Sequence, residues 1–311
     1  MLTKRLTVGL LLVGSLLLGS ASCSTATVGS SDPAVIASVM SNASPVIPLG
    51  TDEVDKQVWS AFGVSLSITG ISMNKSVNNP SDGHFLSFQY RIDNSLPVQL
   101  DISYSFVTVN GIVIDLTNIN AMGRKADANY SSTGWDIIDA DTLQYIGVEH
   151  VMSIGFEMTF SSDDESNYIS LQTPPITIRT ELFGRYDQPV GVAGGQVVLD
   201  ADGIVVTAMA LDPKYDSGLP AILIYVDNTA NSQTIILSVD PGNFSTVVND
   251  FEGPSDLYVL MPGGSIGYTG IRLWGFSPGF AYEPCTISLT FVISTPTDRM
   301  YHRYPATIKY Q

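Results

Sequence analysis

Blocks of sequence recur in the same order in the two halves of this 311-residue chain, so the fold must be assembled from two similar units. Residues 57–69 (QVWSAFGVSLSIT) have a counterpart in residues 196–207 (QVVLDADGIVVT). Each reads as a strand, a turn ending in Gly63 or Gly203, and a second strand. Tyr90, Ile92, Asp93 and Asn94 answer Tyr225, Val226, Asp227 and Asn228, and Phe106 answers Phe244. Pro175, Ile176, Thr177 and Ile178 answer Pro305, Ala306, Thr307 and Ile308. The spacing shrinks along the chain, as short loop deletions would make it.

The units read as β-structure. Val148, His150, Met152, Ile154, Phe156, Met158 and Phe160 alternate with Glu149, Ser153, Glu157 and Thr159. That period of two marks a strand with one buried face. Residues 86–92 and 64–68 alternate likewise. Asn110-Gly111, Asp202-Gly203 and Pro262-Gly263-Gly264 supply tight turns. The 27 Gly and 17 Pro fit many short strands, and 44% hydrophobic residues supply a core. The expected fold class is all-β, with two tandem antiparallel β-sandwich modules over residues 51–182 and 190–311. About seven strands are expected in each. Residues 190–311 should then fold when expressed alone.

The amino terminus reads as an export signal. Lys4 and Arg5 precede an apolar run at residues 6–19, followed by Ser20, Ala21, Ser22 and Cys23. This is the basic, apolar and small-residue order of a cleaved signal peptide over residues 1–22. The run falls short of the ~20 residues that span a bilayer. The small residues before Cys23 resemble the lipobox of bacterial lipoproteins, although Ser20 stands where that motif usually has Leu. The resemblance implies a lipid-attachment site at Cys23 and a protein held to the membrane through that lipid. Cleavage without lipidation, and a retained membrane anchor, are the alternatives. Residues 23–50 are rich in Ser, Ala, Thr, Pro and Val and read as a flexible tether. The expected location is the outer side of the cell membrane, or the periplasm of a host with two membranes.

The motif residues Ile92, Asp93 and Asn94, then Val109, Asn110 and Gly111, then Ile154, Phe156 and Phe160, and finally Pro175 through Thr180, resemble uncharacterised immunoglobulin-like modules of bacterial surface lipoproteins. The resemblance covers most of residues 56–311. It implies location and architecture and carries no activity.

Composition excludes some partners. Fourteen Lys and Arg face 30 Asp and Glu, a net charge of −16, and cleavage would remove Lys4 and Arg5 and deepen it. A nucleic-acid binder needs a basic footprint that this chain lacks. The His and Cys residues form no H-E-x-x-H and no zinc spacing. No catalytic residue, cofactor or metal site is expected. Cys285 alternates with Ile287, Leu289 and Phe291 and reads as a buried structural thiol. His84, His150 and His302 fall in no catalytic motif, and His150 reads as a core or rim residue. Asp136, Asp139 and Asp141 read as a solvated acidic loop, with calcium binding as the sharper alternative, as for Asp200 and Asp202. Trp59, Trp135, Trp274, Tyr301 and Tyr304 are candidates for stacking on a glycan, with Trp135 the foremost ligand-binding candidate. The leading expectation is a non-enzymatic, envelope-anchored recognition or scaffolding protein whose partner is an envelope protein or glycan. A carbohydrate-binding surface lipoprotein is the runner-up, and an envelope hydrolase the third reading.

Overall fold

The computed structural model describes residues 26–28, 44–50, 54–75, 84–116, 119–122, 124–162, 168–188, 194–216, 219–240, 246–248, 251–253, 255–274, 285–297 and 301–310. The signal segment, residues 1–22, and Cys23 lie outside the described residues.

The chain is nearly all β. The first half contains β1 (Ala26–Val28), β2 (Val46–Ile47), β3 (Lys56–Ala61), β4 (Val64–Lys75), β5 (His84–Asn94), β6 (Leu100–Val109), β7 (Ile112–Ile114), β8 (Ile119–Met122), β9 (Lys125–Ala126), β10 (Tyr130–Ile138), β11 (Ser153–Ser161), β12 (Ile169–Gln172) and β13 (Ile176–Thr180). One short helix, α1 (Ala140–Tyr145), lies between β10 and β11. The second half contains β14 (Gln196–Ala201), β15 (Ile204–Asp216), β16 (Leu219–Asp227), β17 (Ile235–Val239), β18 (Thr246–Val248), β19 (Phe251–Gly253), β20 (Ser255–Asp256), β21 (Tyr258–Met261), β22 (Ile266–Leu273), β23 (Cys285–Ser294) and β24 (His302–Tyr310).

Each half packs two sheets across a core. In the first half the sheet β3-β4-β5-β10-β8 faces the strands around β6 and β11. Leu66, Ile68, Phe88, Tyr90 and Ile92 from one side meet Ile154, Phe156, Met158 and Phe160 from the other in one buried cluster. Trp59 stacks on Phe160 with ring centroids 5.4 Å apart. In the second half β14, β15, β16 and β22 face the sheet built on β17, β18, β23 and β24. Val206, Ile224 and Val226 pack there with Leu237, Ile287 and Phe291.

Backbone irregularities repeat between the halves. The turns at Phe62-Gly63 and Asp202-Gly203 both have positive φ at both positions, the backbone of a tight hairpin turn. The β3–β4 pairing slips between Gln57 and Trp59, and the β14–β15 pairing slips between Val197 and Leu199. A second slip falls between Ile68 and Gly70 in β4, and between Ala208 and Ala210 in β15. Each slip admits one extra residue and re-aims the strand. Register also refines the sequence alignment: Ile68 opposes Tyr90 and Ala208 opposes Ile224, so Tyr90 answers Ile224, and Tyr225 answers Arg91.

The asparagine of the Asp-Asn pair common to both halves is a corner fastener. β8 pairs with β10, and the chain then crosses to the facing sheet, where β9 pairs with β6. β20 and β21 make the same crossing between β22 and β17. The buried Asn94 amide donates to the carbonyls of Val98 at 2.8 Å, Ala126 at 3.2 Å and Asp127 at 3.1 Å. The Asn228 amide donates to Met261 at 3.1 Å and Pro262 at 3.0 Å. Each Asn therefore ties the end of a central strand to the crossing segment. Asn94→Ala leaves those buried carbonyls short of donors, so the variant should lose about 2 kcal/mol of stability in urea denaturation. A loss under about 0.5 kcal/mol would refute the fastener role.

Two features depart from the expected organisation. β1 and β2 lie within the segment assigned to the tether, yet β1 pairs antiparallel with β12, β2 pairs in parallel with β13, and Ile47 is fully buried in the first core. Burial of the Ile47 side chain offsets part of the entropy lost on ordering this segment. The halves are also not separate. β7 pairs in parallel with β22, joining strands of both halves into one 13-stranded sheet. Val113 of β7 belongs to the second half's core, and Tyr225, Ile266 and Tyr268 belong to the first's. Gly267 lies opposite Val113, and a Cβ there would sit 2.9 Å from the Met261 sulfur and 3.1 Å from Val113 Cβ. Glycine is what lets the two strands approach.

Candidate functional site

The open surface of the first half is the outer face of its five-stranded sheet. Alternation along β5 sends Phe88, Tyr90 and Ile92 inward and leaves Gln89, Arg91 and Asp93 outward. In β10 the outward set is Ser131, Thr133, Trp135 and Ile137, with Gly134, Asp136 and Ile138 inward. Register places Trp135 beside Gln89, Thr133 beside Arg91, and Ser131 beside Asp93. Trp135 is 50% exposed. It borders a groove of about 490 Å³ lined also by Thr69, Gln89, Arg91 and Thr133. Along the same two strands lies a second groove of about 660 Å³, lined by Ser60, Ser65, Asp93, Tyr130 and Ser131 among others.

Charge on this face is internally matched. Arg91 Nη1 lies 2.6 Å from Asp55 Oδ2, and Arg91 Nε lies 3.3 Å from Asp93 Oδ1. Asp93 accepts from the Ser131 hydroxyl at 2.5 Å and from the Ser65 hydroxyl at 3.4 Å. The Ser131 hydrogen bond, with Arg91 beside it, holds the Asp93 carboxyl below its ordinary range.

The corresponding face of the second half is covered. Thr69 and Met209 are the extra residues at matching slips, and register sets Arg91 against Tyr225 and Thr133 against Tyr268. Tyr268 meets Tyr145 edge-on at 5.7 Å and Tyr225 at 5.2 Å, and Tyr145 reaches the Met209 sulfur at 3.8 Å. Burial pushes the Tyr225 hydroxyl up to about 12. The same sheet position is thus an apolar contact in one half and a polar open groove in the other.

Directly behind Trp135, Asp136 points into the core. It is 4% exposed. Tyr104 donates to its Oδ2. Its Oδ1 has no hydrogen-bond partner among the described residues. The surroundings include Phe88, Val107, Ile119, Ile154 and Phe156. Burial raises the Asp136 carboxyl from 3.8 to about 6, against the pull of the Tyr104 hydroxyl and the Arg124 charge. Sequence reading placed Asp136 in a solvated loop. The correction follows from strand period: Gly134, Asp136 and Ile138 share the inward side of β10. Gly134 is itself required, because a Cβ there would lie 2.5 Å from the Tyr90 ring.

The remaining candidates scatter. His150 lies before β11 begins, is exposed, and stacks on Tyr186 at 3.8 Å, in contrast to its expected place on an apolar strand face. Asn110 pins the turn by donating to the His150 carbonyl at 2.7 Å. His302 Nδ1 lies 2.6 Å from Asp202 Oδ2, and the Tyr304 hydroxyl donates to the same oxygen. These bonds hold Asp202 below the usual carboxylate range, Tyr304 foremost. The side chain of His84 lies outside the described residues. Trp59 is buried, Trp274 is 42% exposed on the other half, and Cys285 is buried. Among the described residues no three His, Cys, Asp or Glu converge as a metal site. No helix among them is long and apolar enough to cross a membrane.

No family model matches the chain, and no curated protein is similar to it. The solved structure described as YadV chaperone covers 80% of this chain and 100% of its own at 9% identity, with a TM-score of 0.24, a likeness too distant to bear on fold or function.

Proposed function

We propose that this chain is a non-enzymatic, envelope-anchored lipoprotein of two immunoglobulin-like β-sandwich modules, whose first module presents a recognition surface. Cys23 would carry the lipid after removal of residues 1–22, close in sequence to β1, which pairs antiparallel with β12. The observation that carries the reading is the contrast between the two equivalent sheet faces. In the second half Met209, Tyr225 and Tyr268 are spent on contact with the first half. In the first half Thr69, Arg91, Thr133 and Trp135 leave a groove open. A sheet face that serves as a docking surface in one copy, and stays open and polar in the other, suits a hydrophilic ligand. G-x-S-x-G occurs at residues 263–267 and 275–279. Ser265 of the first lies in a turn and donates to the Pro262 carbonyl at 2.6 Å, and Ser277 of the second lies outside the described residues. The dispersal of the described histidines speaks against the hydrolase reading.

Expression in a bacterial host tests the anchor. The wild-type chain should enter the detergent phase on detergent–water partition, and Cys23→Ser should enter the aqueous phase. A wild-type chain found in water would overturn lipid attachment. Cross-linked pull-down from the native envelope tests recognition: material captured by the intact chain should be lost when Trp135 and Gln89 are replaced by alanine.

A further inference from the structure

The geometry points to a neutral polysaccharide segment as the ligand of the open groove, with one sugar ring laid against the Trp135 indole; this rests on the reading of that face as a recognition surface. A hexose ring has one face made largely of C–H bonds and a rim of hydroxyls that both donate and accept. The groove offers the matching set. Trp135 supplies a flat apolar plate in mid-strand, half open to water. Gln89 beside it carries an amide that donates and accepts, and Thr69 and Thr133 add hydroxyls. The hydroxyl-rich strip continues to Ser131 and Ser65, about 13 Å along the strand from Trp135 to Ser131.

Charge and texture decide between ligand classes. Arg91 is already flanked by Asp55 at 2.6 Å and Asp93 at 3.3 Å, so its charge is spent within the face and offers little to a carboxylate or phosphate. The chain's net charge of −16 further repels polyanions. A protein partner would want a desolvated apolar centre at the contact. Trp135 is instead set in register between Gln89 and Met122 and lies, two residues along its own strand, between Thr133 and Ile137, a mixed rather than an apolar surround. The second half shows what a protein-docking version of this position looks like, and it is built of Met209, Tyr225 and Tyr268.

The test uses the full chain with Cys23→Ser, titrated calorimetrically with cellohexaose, mannohexaose and chitohexaose, and with a galacturonate oligomer as the anionic comparison. At least one neutral hexasaccharide should bind, the galacturonate oligomer should not, and Trp135→Ala should weaken binding by about tenfold or more. Trp274→Ala, on the other half, should bind as wild type does. Trp135 is an outward side chain, so its alanine variant should keep the wild-type circular dichroism and urea midpoint. No binding of any neutral oligomer to folded protein, unchanged binding by Trp135→Ala, or preference for the galacturonate oligomer would each overturn the assignment. Capture of an envelope protein through Trp135, with no sugar binding, would overturn the polysaccharide and leave the recognition surface standing. Loss of both would remove the surface as well.

Discussion

Val113→Asp is expected to destabilise the second half by about 3–5 kcal/mol, although residue 113 belongs by sequence to the first. Val113 is 1% exposed and packs among Leu237, Ile271 and their neighbours in the second core. An aspartate there buries a carboxylate without a partner, which costs far more than the lost contacts of valine. The strand carrying it is also the parallel partner of Ile266, Gly267 and Tyr268. Urea unfolding followed by circular dichroism should therefore show an earlier transition. A shift worth less than about 1 kcal/mol would refute the docking of β7 into the second half. The same reasoning bears on the isolated fragment 190–311. Without β7 it presents Ile266 and Tyr268 on an open edge, so it should unfold at lower urea than the same residues in the full chain.

Asp136→Asn should flatten the dependence of stability on pH between 4 and 7.5. The Asp136 carboxyl titrates near 3.8 when unfolded and at about 6 when folded. The folded chain thus holds this proton more tightly than the unfolded chain does. The benefit is complete below about pH 3.8 and is lost as pH rises through about 6. At 1.36 kcal/mol per unit, the full loss amounts to about 3 kcal/mol. Asparagine keeps an acceptor for the Tyr104 hydroxyl but carries no charge to bury. The difference in stability between wild type and variant should therefore move by about 2–3 kcal/mol in the variant's favour from pH 4 to pH 7.5. A difference that stays constant with pH would show that Asp136 is ionised throughout.

The strands of the first half were legible because their faces differ. Residues 86–92 alternate, and the structure buries Leu86, Phe88, Tyr90 and Ile92 while leaving Gln89 and Arg91 partly open. The repeat was legible because turns and strand ends demand particular residues, as Gly63, Gly203, Asn94 and Asn228 do. The junction was written in the sequence in a different way. Residues 221–226 read AILIYV, with no alternation, and all six are buried. Ile112, Val113 and Ile114 form another unbroken apolar run, also wholly buried. Such runs mark strands covered on both faces, yet no local pattern says which distant strand covers them. Asp136 was missed because its neighbours Asp139 and Asp141 suggested an acidic loop. Counting by twos from Gly134 would have turned it inward. Trp135 was found as a single residue, but Gln89 and Arg91 join it only through the β5–β10 register.

The way β7 is used also limits how many units such a chain can string together. In the second half β19 occupies the place of β7, since Val248 opposes Phe251 as Val109 opposes Ile112. Among the described residues β19 pairs only with β18, so it is a sheet edge able in principle to accept a further unit. Glu252 stands there at the register position that Val113 holds, and Ser132 of β10 stands at the position of Gly267. A glutamate cannot enter a neighbour's core as valine does, and a serine takes up the space that glycine leaves. The residues that let β7 pair with β22 are thus not repeated at the two outer register positions.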